Sequence, residues 1–428
     1  MSIHRIAVVG AGYVGLTTGA CLASFGHRVV CADVDAGKVA RLRAGKVDIL
    51  EAGLPELVAA GLAAGTLEFE VGAAAAVTGA DAVFLCVPTP MAADGTADLS
   101  AVASVVAEVG ALLPAGCVVV NKSTVPVGTA EWVRQLIGRD DIAVVSNPEF
   151  LREGSAVHDF LHPDRIVVGS ADERAARRIA GLYAPLRVPV VCTNAASAEM
   201  IKYAANCFLA VKLSYVNAVA ELCEAFGAEV DAVTAGMGHD PRIGQAFLRP
   251  GPGWGGPCLP KDASALLQLA EARGVRFDLL QAAVDDNARQ SRRVVRRLAD
   301  ELGKPLDRAR IGLLGLAFKP GTNDLRGSPA LQVAGLLADA GAEVVAYDPA
   351  VNRELPRITV VGDAYLAVKE VDAVLLVTEW PQFRELDWPA IAELMDGGLI
   401  FDARNHLDPA TLERSGLRWR GIGRQAAA

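Results

Sequence analysis

At 428 residues, with 52% hydrophobic and 21% charged side chains, the chain has the composition of an ordinary globular core of two or three domains and not of a disordered chain. A net charge of -9 argues against a nucleic-acid surface, but it leaves room for a phosphate-bearing ligand, which needs only local donors. The opening Met-Ser-Ile-His-Arg enters a strand at once and no apolar run reaches transmembrane length, so a soluble, cytoplasmic protein without a signal peptide or membrane partner is expected.

Arg5 to Val9 is a short β-branched run, followed by Gly10-Ala11-Gly12-Tyr13-Val14-Gly15 and a helical stretch from Leu16 to Ala23. In this strand-to-helix context Gly10 permits the tight turn, Gly12 admits a pyrophosphate, and Gly15 lets helix and strand pack closely. A glycine-rich turn of an unrelated α/β fold would show the same glycines. The second strand, His27 to Ala32, ends at Asp33, placed to bond the ribose hydroxyls of NAD and to repel the 2′-phosphate of NADP. NAD is therefore the expected cofactor. Lys38 either weakens that exclusion or is a solvated helix residue.

Further strands run from Ala82 to Val87, leading into Pro88-Thr89-Pro90, and from Gly116 to Asn121, leading into Lys122-Ser123-Thr124-Val125-Pro126-Val127-Gly128-Thr129. In an open parallel sheet the ligand lies outside the carboxyl ends of the strands. Thr124 is then a hydroxyl donor in the crevice, or the cap of a helix starting near Thr129. Asp141 to Ser146 leads into Asn147-Pro148-Glu149-Phe150-Leu151-Arg152-Glu153-Gly154, with two carboxylates that are surface charges or site groups. Strands at Asp164 to Gly169 and Val188 to Cys192 complete a first domain, residues 1–196.

From Ser197 to Phe226 the period turns helical without Pro or Gly, a span of roughly 45 Å. Lys202 and Asn206 lie one turn apart in a largely apolar stretch and ask for a polar partner, a substrate oxygen or a neighbouring carboxylate. The Gly/Pro-rich loop Phe247 to Asp262 places Cys258 at a helix N-terminus, where the dipole and Lys261 favour the thiolate. A small buried Cys in a tight turn is the structural alternative. Cys21, Cys31, Cys86, Cys117, Cys192, Cys207 and Cys223 lack metal-ligand spacing and are expected as reduced core thiols, with no metal site. The central helical domain covers residues 197–304. A second βα domain, residues 305–428, opens near Asp307, with strands at Arg310 to Leu314, Glu343 to Tyr347, Asp372 to Thr378 and Gly398 to Phe401. Gly312, Gly315 and Asp348 echo the first domain, but the three-glycine fingerprint is incomplete, so a second dinucleotide site is not expected. Lys319, Arg326 and Arg404 are cations near strand ends, suited to phosphate or sugar contacts.

The stretch Gly255-Gly256-Pro257-Cys258-Leu259-Pro260-Lys261-Asp262, preceded by Gly238-His239-Asp240-Pro241-Arg242-Ile243-Gly244 and Phe247-Leu248, resembles the UDP-glucose 6-dehydrogenase branch of the UDP-glucose/GDP-mannose dehydrogenase family. The likeness covers nearly the whole chain, including the Pro-Glu-Phe-Leu-x-Glu-Gly motif at Pro148 to Gly154; Trp254, Pro257 and Leu259 depart from what is common in relatives. It implies two Rossmann-like doubly wound α/β domains joined by a long central helix, and a homodimer with Arg242 reaching across the interface. It implies NAD-dependent four-electron oxidation of the C6 alcohol of UDP-glucose to UDP-glucuronate through a cysteine thiohemiacetal and thioester. Catalytic roles fall by resemblance to Cys258, Lys202, Asn206, Asp262, Glu153 and Thr124. The cofactor would meet Gly10, Gly12, Tyr13, Val14, Gly15, Asp33, Lys38, Pro88, Thr89, Thr124, Glu153, Lys261 and Arg326. The sugar nucleotide would meet Glu149, Phe150, Leu151, Arg152, Lys202, Asn206, Arg242, Phe247, Leu248, Gly251, Gly253, Cys258, Phe318, Lys319 and Arg404. Alternatives are a dehydrogenase for GDP-mannose or a UDP-N-acetylhexosamine, a two-electron hydroxyacid dehydrogenase, and a non-catalytic nucleotide-sugar sensor.

Overall fold

The computed structural model describes residues 4–424 and contains two sheets. Runs such as Ile6-Ala7-Val8-Val9 and Val118-Val119-Val120 are apolar on both faces, as strands covered by helices on either side must be. The first sheet is built from β1 (Arg5–Val9), β2 (Arg28–Asp33), β3 (Leu67–Val71), β4 (Ala82–Leu85), β5 (Val118–Asn121), β6 (Ala143–Ser146), β7 (Ile166–Gly169) and β8 (Val190–Thr193). Its order is β3-β2-β1-β4-β5-β6-β7-β8, parallel except for the single antiparallel pairing of Ser146 with Gly169. Strand order reverses at β1, whose Val9 is in register with Ala32 on one side and Leu85 on the other. A crevice at the carboxyl end of β1 is where such a sheet takes a ligand.

The second sheet comprises β9 (Arg310–Leu314), β10 (Glu343–Tyr347), β11 (Thr359–Val360), β12 (Ala373–Leu376), β13 (Leu399–Asp402) and β14 (Arg418–Gly421), ordered β11-β10-β9-β12-β13-β14 and parallel throughout. β3, β11 and β14 were not expected from sequence. β3 and β11 are edge strands with one exposed face, and β14 begins with the charged Arg418-Trp419-Arg420, so none shows the apolar run of a central strand.

Between the sheets in the chain runs the helix Ala195–Phe226, beginning slightly earlier than the apolar period predicts. The chain divides into two compact units, one of residues through Ala205 together with Ser264–Arg273, the other of Asn206–Ala263 and Gly274 onward. Cys21, Cys31, Cys86, Cys117, Cys207 and Cys223 are buried, but Cys192 is exposed on β8, because that strand is the edge of its sheet and not part of the core as expected. Among the described residues no helix is long and apolar enough to cross a membrane.

Candidate active site

In the first unit, Gly10 has φ 98° and a Cβ there would sit 2.6 Å from the Cys86 carbonyl oxygen; at Gly15 it would fall 1.8 Å from the Gly10 carbonyl oxygen. Gly12 is different. Nothing lies within 4 Å of its missing Cβ, and it caps the helix Tyr13–Ser24, so backbone N–H groups face open space. This cradle fits the pyrophosphate of a dinucleotide. Asp33 closes it from β2: Oδ2 accepts from the Ala11 N–H at 3.0 Å and from Lys38 Nζ at 2.9 Å, and Oδ1 from the Asp35 N–H at 3.0 Å. Burial works against ionisation, yet these donors hold the Asp33 carboxyl below its ordinary range. Lys38 is thus tied to Asp33 and is not a merely solvated helix residue. Val14 packs on the core, Pro88 is exposed beyond β4, and Thr89 donates to the Thr124 carbonyl at 2.8 Å.

Tyr13 reaches away from the glycine loop. Its hydroxyl donor lies 2.8 Å from Glu51 Oε2 and 2.5 Å from the Arg152 carbonyl oxygen, while Glu51 accepts from the Gly154 N–H at 2.8 Å and the Val157 N–H at 3.3 Å. Burial and the Glu51 charge push the Tyr13 phenol up. Glu51, invisible in the motifs, therefore ties the glycine-loop helix to the turn that carries Glu153.

The buried carboxylate beside Lys202 is Glu149. Lys202 Nζ and Glu149 Oε1 are 3.0 Å apart with side chains 4% and 6% exposed, and Glu149 Oε2 accepts from the Leu151 N–H at 2.6 Å. The Lys202 ammonium lies 5.3 Å from the Phe150 ring centroid, and the Arg165 guanidinium stacks 3.5 Å from the same ring. Arg152 is exposed and forked onto Asp159, whereas half-buried Glu153 acts electrostatically on Tyr13. Thr124 is not the cap of the helix Thr129–Ile137. Gly128 holds that position, and Glu199 accepts from the Gly128 and Ala130 N–H groups at 2.7 and 2.8 Å and from Ser146 Oγ at 2.9 Å. Thr124 instead lines a small recess with Asn121, Ser146, Glu199 and Lys202.

In the second unit Cys258 is exposed directly ahead of the helix Leu259–Glu271, and its carbonyl accepts from the Asp262 N–H at 2.9 Å. Asp262 is fully buried. Its Oδ2 accepts from Asn206 Nδ2 at 2.6 Å, and its Oδ1 meets Lys261 Nζ at 2.8 Å as a charge contact outside hydrogen-bond alignment. Lys261 is thereby directed at Asp262. Burial pushes the thiols of Cys21, Cys86, Cys117 and Cys207 up to about 12, which leaves them inert.

The loop before Cys258 is braced by side chains that spacing rules do not reveal. The Gly251 N–H donates to Asn217 Oδ1 at 2.8 Å and its carbonyl accepts from Gln290 at 2.7 Å. The Trp254 backbone exchanges two bonds with the Asn287 amide, at 2.7 and 2.8 Å, and its indole N–H donates to Ser214 at 2.9 Å. A Cβ at Gly255 would meet the Gly327 carbonyl at 1.9 Å, and one at Gly256 would meet the Phe318 ring at 2.6 Å, so both positions exclude side chains. Gly253 has φ 116° and Phe247 φ 60°; Leu248 is buried, and Phe247 is exposed.

Arg404 donates to the Val377 carbonyl at 2.7 Å and pairs with Glu379, its guanidinium next to Gly251. Lys319 lies 5.5 Å from the Phe318 centroid, Arg326 forks onto Asp324, and Arg242 is exposed against Asp240. Asp348 accepts from the Leu316 and Ala317 N–H groups at 2.7 and 2.9 Å and from the Trp380 indole at 3.0 Å. The turn after β9 is therefore filled by the protein's own donors.

Residues 4–187, 196–289 and 312–409 match the NAD binding, central and UDP binding domains of the UDP-glucose/GDP-mannose dehydrogenase family. The chain belongs to this family. It is 42% identical to UDP-glucose 6-dehydrogenase TuaD of Bacillus subtilis, over 99% of this chain and 94% of that protein. It is 43% identical to UDP-glucose 6-dehydrogenase of Rhizobium meliloti, over 98% and 99%. The solved UDP-glucose dehydrogenase of Pyrobaculum islandicum matches with TM-score 0.91 and 37% identity, covering 99% of this chain and 98% of that one. As a family member the chain is an NAD-dependent oxidoreductase, and the residues that carry the Gly12 cradle and Asp33 fall within the match to the family's NAD binding domain.

Proposed function

We propose that the chain oxidises the C6 hydroxymethyl of UDP-glucose to the carboxylate of UDP-glucuronate, with Cys258 carrying the sugar covalently between two oxidations. The observation that carries this is the exposed Cys258 thiol at the start of a helix whose first turn buries Asp262 against Asn206, in a chain whose other thiols are mostly inert in the core. NAD, when bound, accepts one hydride from C6 in each oxidation. After the first, Cys258 Sγ attacks the aldehyde carbon: a C–S bond forms and the carbonyl oxygen takes a proton. After the second, the adduct is a thioester. Water then attacks, the C–S bond breaks and the thiol is restored.

The other roles follow from charge. The Lys202 ammonium and the Asn206 amide stabilise negative charge on the C6 oxygen as each tetrahedral centre forms. Asp262 fixes that amide through the bond to its Oδ2. We assign the base to Glu149 and not to Glu153, because Glu149 is the buried carboxylate beside Lys202. Glu153, next to Tyr13, belongs with the cofactor side. The functional division is an NAD-binding part through residue 196, a central part from 197 to 304, and a UDP-sugar part from 305. A homodimer is supported by the exposed apolar stripe Phe208, Tyr215, Leu222 and Phe226 on the long helix. The eight free cysteines suit a reducing cytoplasm. The test is turnover of purified protein with NAD against a panel of UDP- and GDP-sugars. Two NADH per UDP-glucose support the proposal; release of an aldehyde after one NADH, or preference for another sugar, contradicts it.

A further inference from the structure

β5 ends at Asn121, whose carbonyl accepts the Asn147 N–H at 2.9 Å. Its side chain is 2% exposed, and neither Oδ1 nor Nδ2 has a protein partner among the described residues. A buried amide with both atoms unpaired is strongly disfavoured unless a polar guest satisfies it. The amide lines the recess shared with Thr124, Ser146, Glu199 and Lys202, which has room for about one water molecule. Two of the other groups there are already committed to each other and to backbone: Glu199 takes three donors, one of them from Ser146.

We propose that this recess is a built water site and that Asn121 is a positioning residue acting through that water on Lys202. An amide offers both a donor and an acceptor. Oδ1 takes one water hydrogen, which turns a water lone pair toward the Lys202 ammonium and holds the ammonium in one orientation. The charged groups around that ammonium are Glu149 at 3.0 Å, Glu199 in the same recess, and the buried Lys122, whose charge opposes it. The inference rests on the oxyanion role given above to Lys202.

Asn121→Leu fills the recess without a polar atom, and Asn121→Ser keeps one. The Leu variant is expected to melt higher than wild type, to bind NAD within twofold of it, to turn over about tenfold slower and to shift a limb of its kcat–pH profile. The Ser variant recovers most of the lost kcat. A high-resolution crystal structure of the wild-type enzyme is expected to show a water within hydrogen-bond distance of both the Asn121 amide and Lys202. The proposal is overturned by a Leu variant with unchanged kcat and pH profile, by a loss of kcat that tracks weakened NAD binding, or by a dry recess. Lys202→Met, measured alongside, separates the two levels: if it retains wild-type turnover, the role of Lys202 fails; if it is inactive while Asn121→Leu runs normally, only the water site fails.

Discussion

Glu149→Gln keeps the shape of the side chain and a carbonyl acceptor for the Leu151 N–H, but it removes the charge that faces Lys202 at 3.0 Å. Taking one partner from a buried ion pair costs about 3–5 kcal/mol, and an amide oxygen that still accepts from the ammonium offsets part of that, leaving about 2–3 kcal/mol. For a folded unit of roughly 200 residues this lowers the melting temperature by about 5–10 °C. Loss of a general base lowers kcat by about 10²–10⁴. Glu153→Gln, at a half-buried position beside Tyr13, is expected to change the melting temperature by only ~2 °C and to act mainly on KM for NAD. Calorimetry and steady-state NADH production at varied NAD and saturating UDP-glucose measure both variants. An inactive Glu153→Gln beside an active Glu149→Gln would refute the reasoning and place the base at Glu153.

Burial pushes the Lys122 ammonium down to about 8, against about 10.4 when unfolded. The unfolded chain thus keeps its proton to higher pH, and the fold carries the full penalty below pH ~8 and sheds it between pH ~8 and ~10.5. Lys122→Met is therefore more stable than wild type at pH 7 by about 2–3 kcal/mol, since Asn147 Oδ1 still receives the Tyr183 hydroxyl at 2.5 Å. Urea denaturation should show that advantage shrinking by pH 10, and a constant difference contradicts it. Asp33→Ser should raise kcat/KM for NADP at least tenfold, by an order-of-magnitude estimate from removal of a carboxylate facing the 2′-phosphate; an unchanged preference for NAD places discrimination elsewhere. Phe208→Glu combined with Leu222→Glu should give monomers in sedimentation velocity, and a persisting dimer excludes the apolar stripe as its interface.

The parts of the site legible in the sequence are those built from neighbours in the chain. Gly10, Gly12 and Gly15 announce a cradle because each answers a local demand of one turn, and Cys258 lies ahead of a helix because Pro260 and the residues after it start one. The pair Glu149 and Glu153 shows where local reading stops. Both carboxylates follow one strand end, and only the fold of the first unit brings Lys202 to Glu149. Glu51, Glu199 and Asn121 escape for the same reason: their partners are distant in sequence, as with the Gly154 N–H for Glu51 and the Gly128 N–H for Glu199. Ser214, Asn217, Asn287 and Gln290 brace the cysteine loop from two helices, and the signal for them is only a polar residue on an inward helix face. β11 and β14 stay hidden because the first is two residues long and the second begins with charge.

The central claim is the covalent role of Cys258, and Cys258→Ser tests it most directly, followed by intact mass and by NADH counted per UDP-glucose. Serine keeps the size and a hydroxyl but loses the easily ionised nucleophile, and any ester it forms is cleaved more slowly than a thioester. The loop ahead of the cysteine is untouched, since Gly251 and Trp254 are held by Asn217, Gln290 and Asn287. The expected result is retained UDP-glucose binding, turnover reduced by several powers of ten and a trapped sugar adduct in the mass spectrum. Near wild-type turnover with two NADH per sugar would contradict the covalent mechanism and return Cys258 to a structural role.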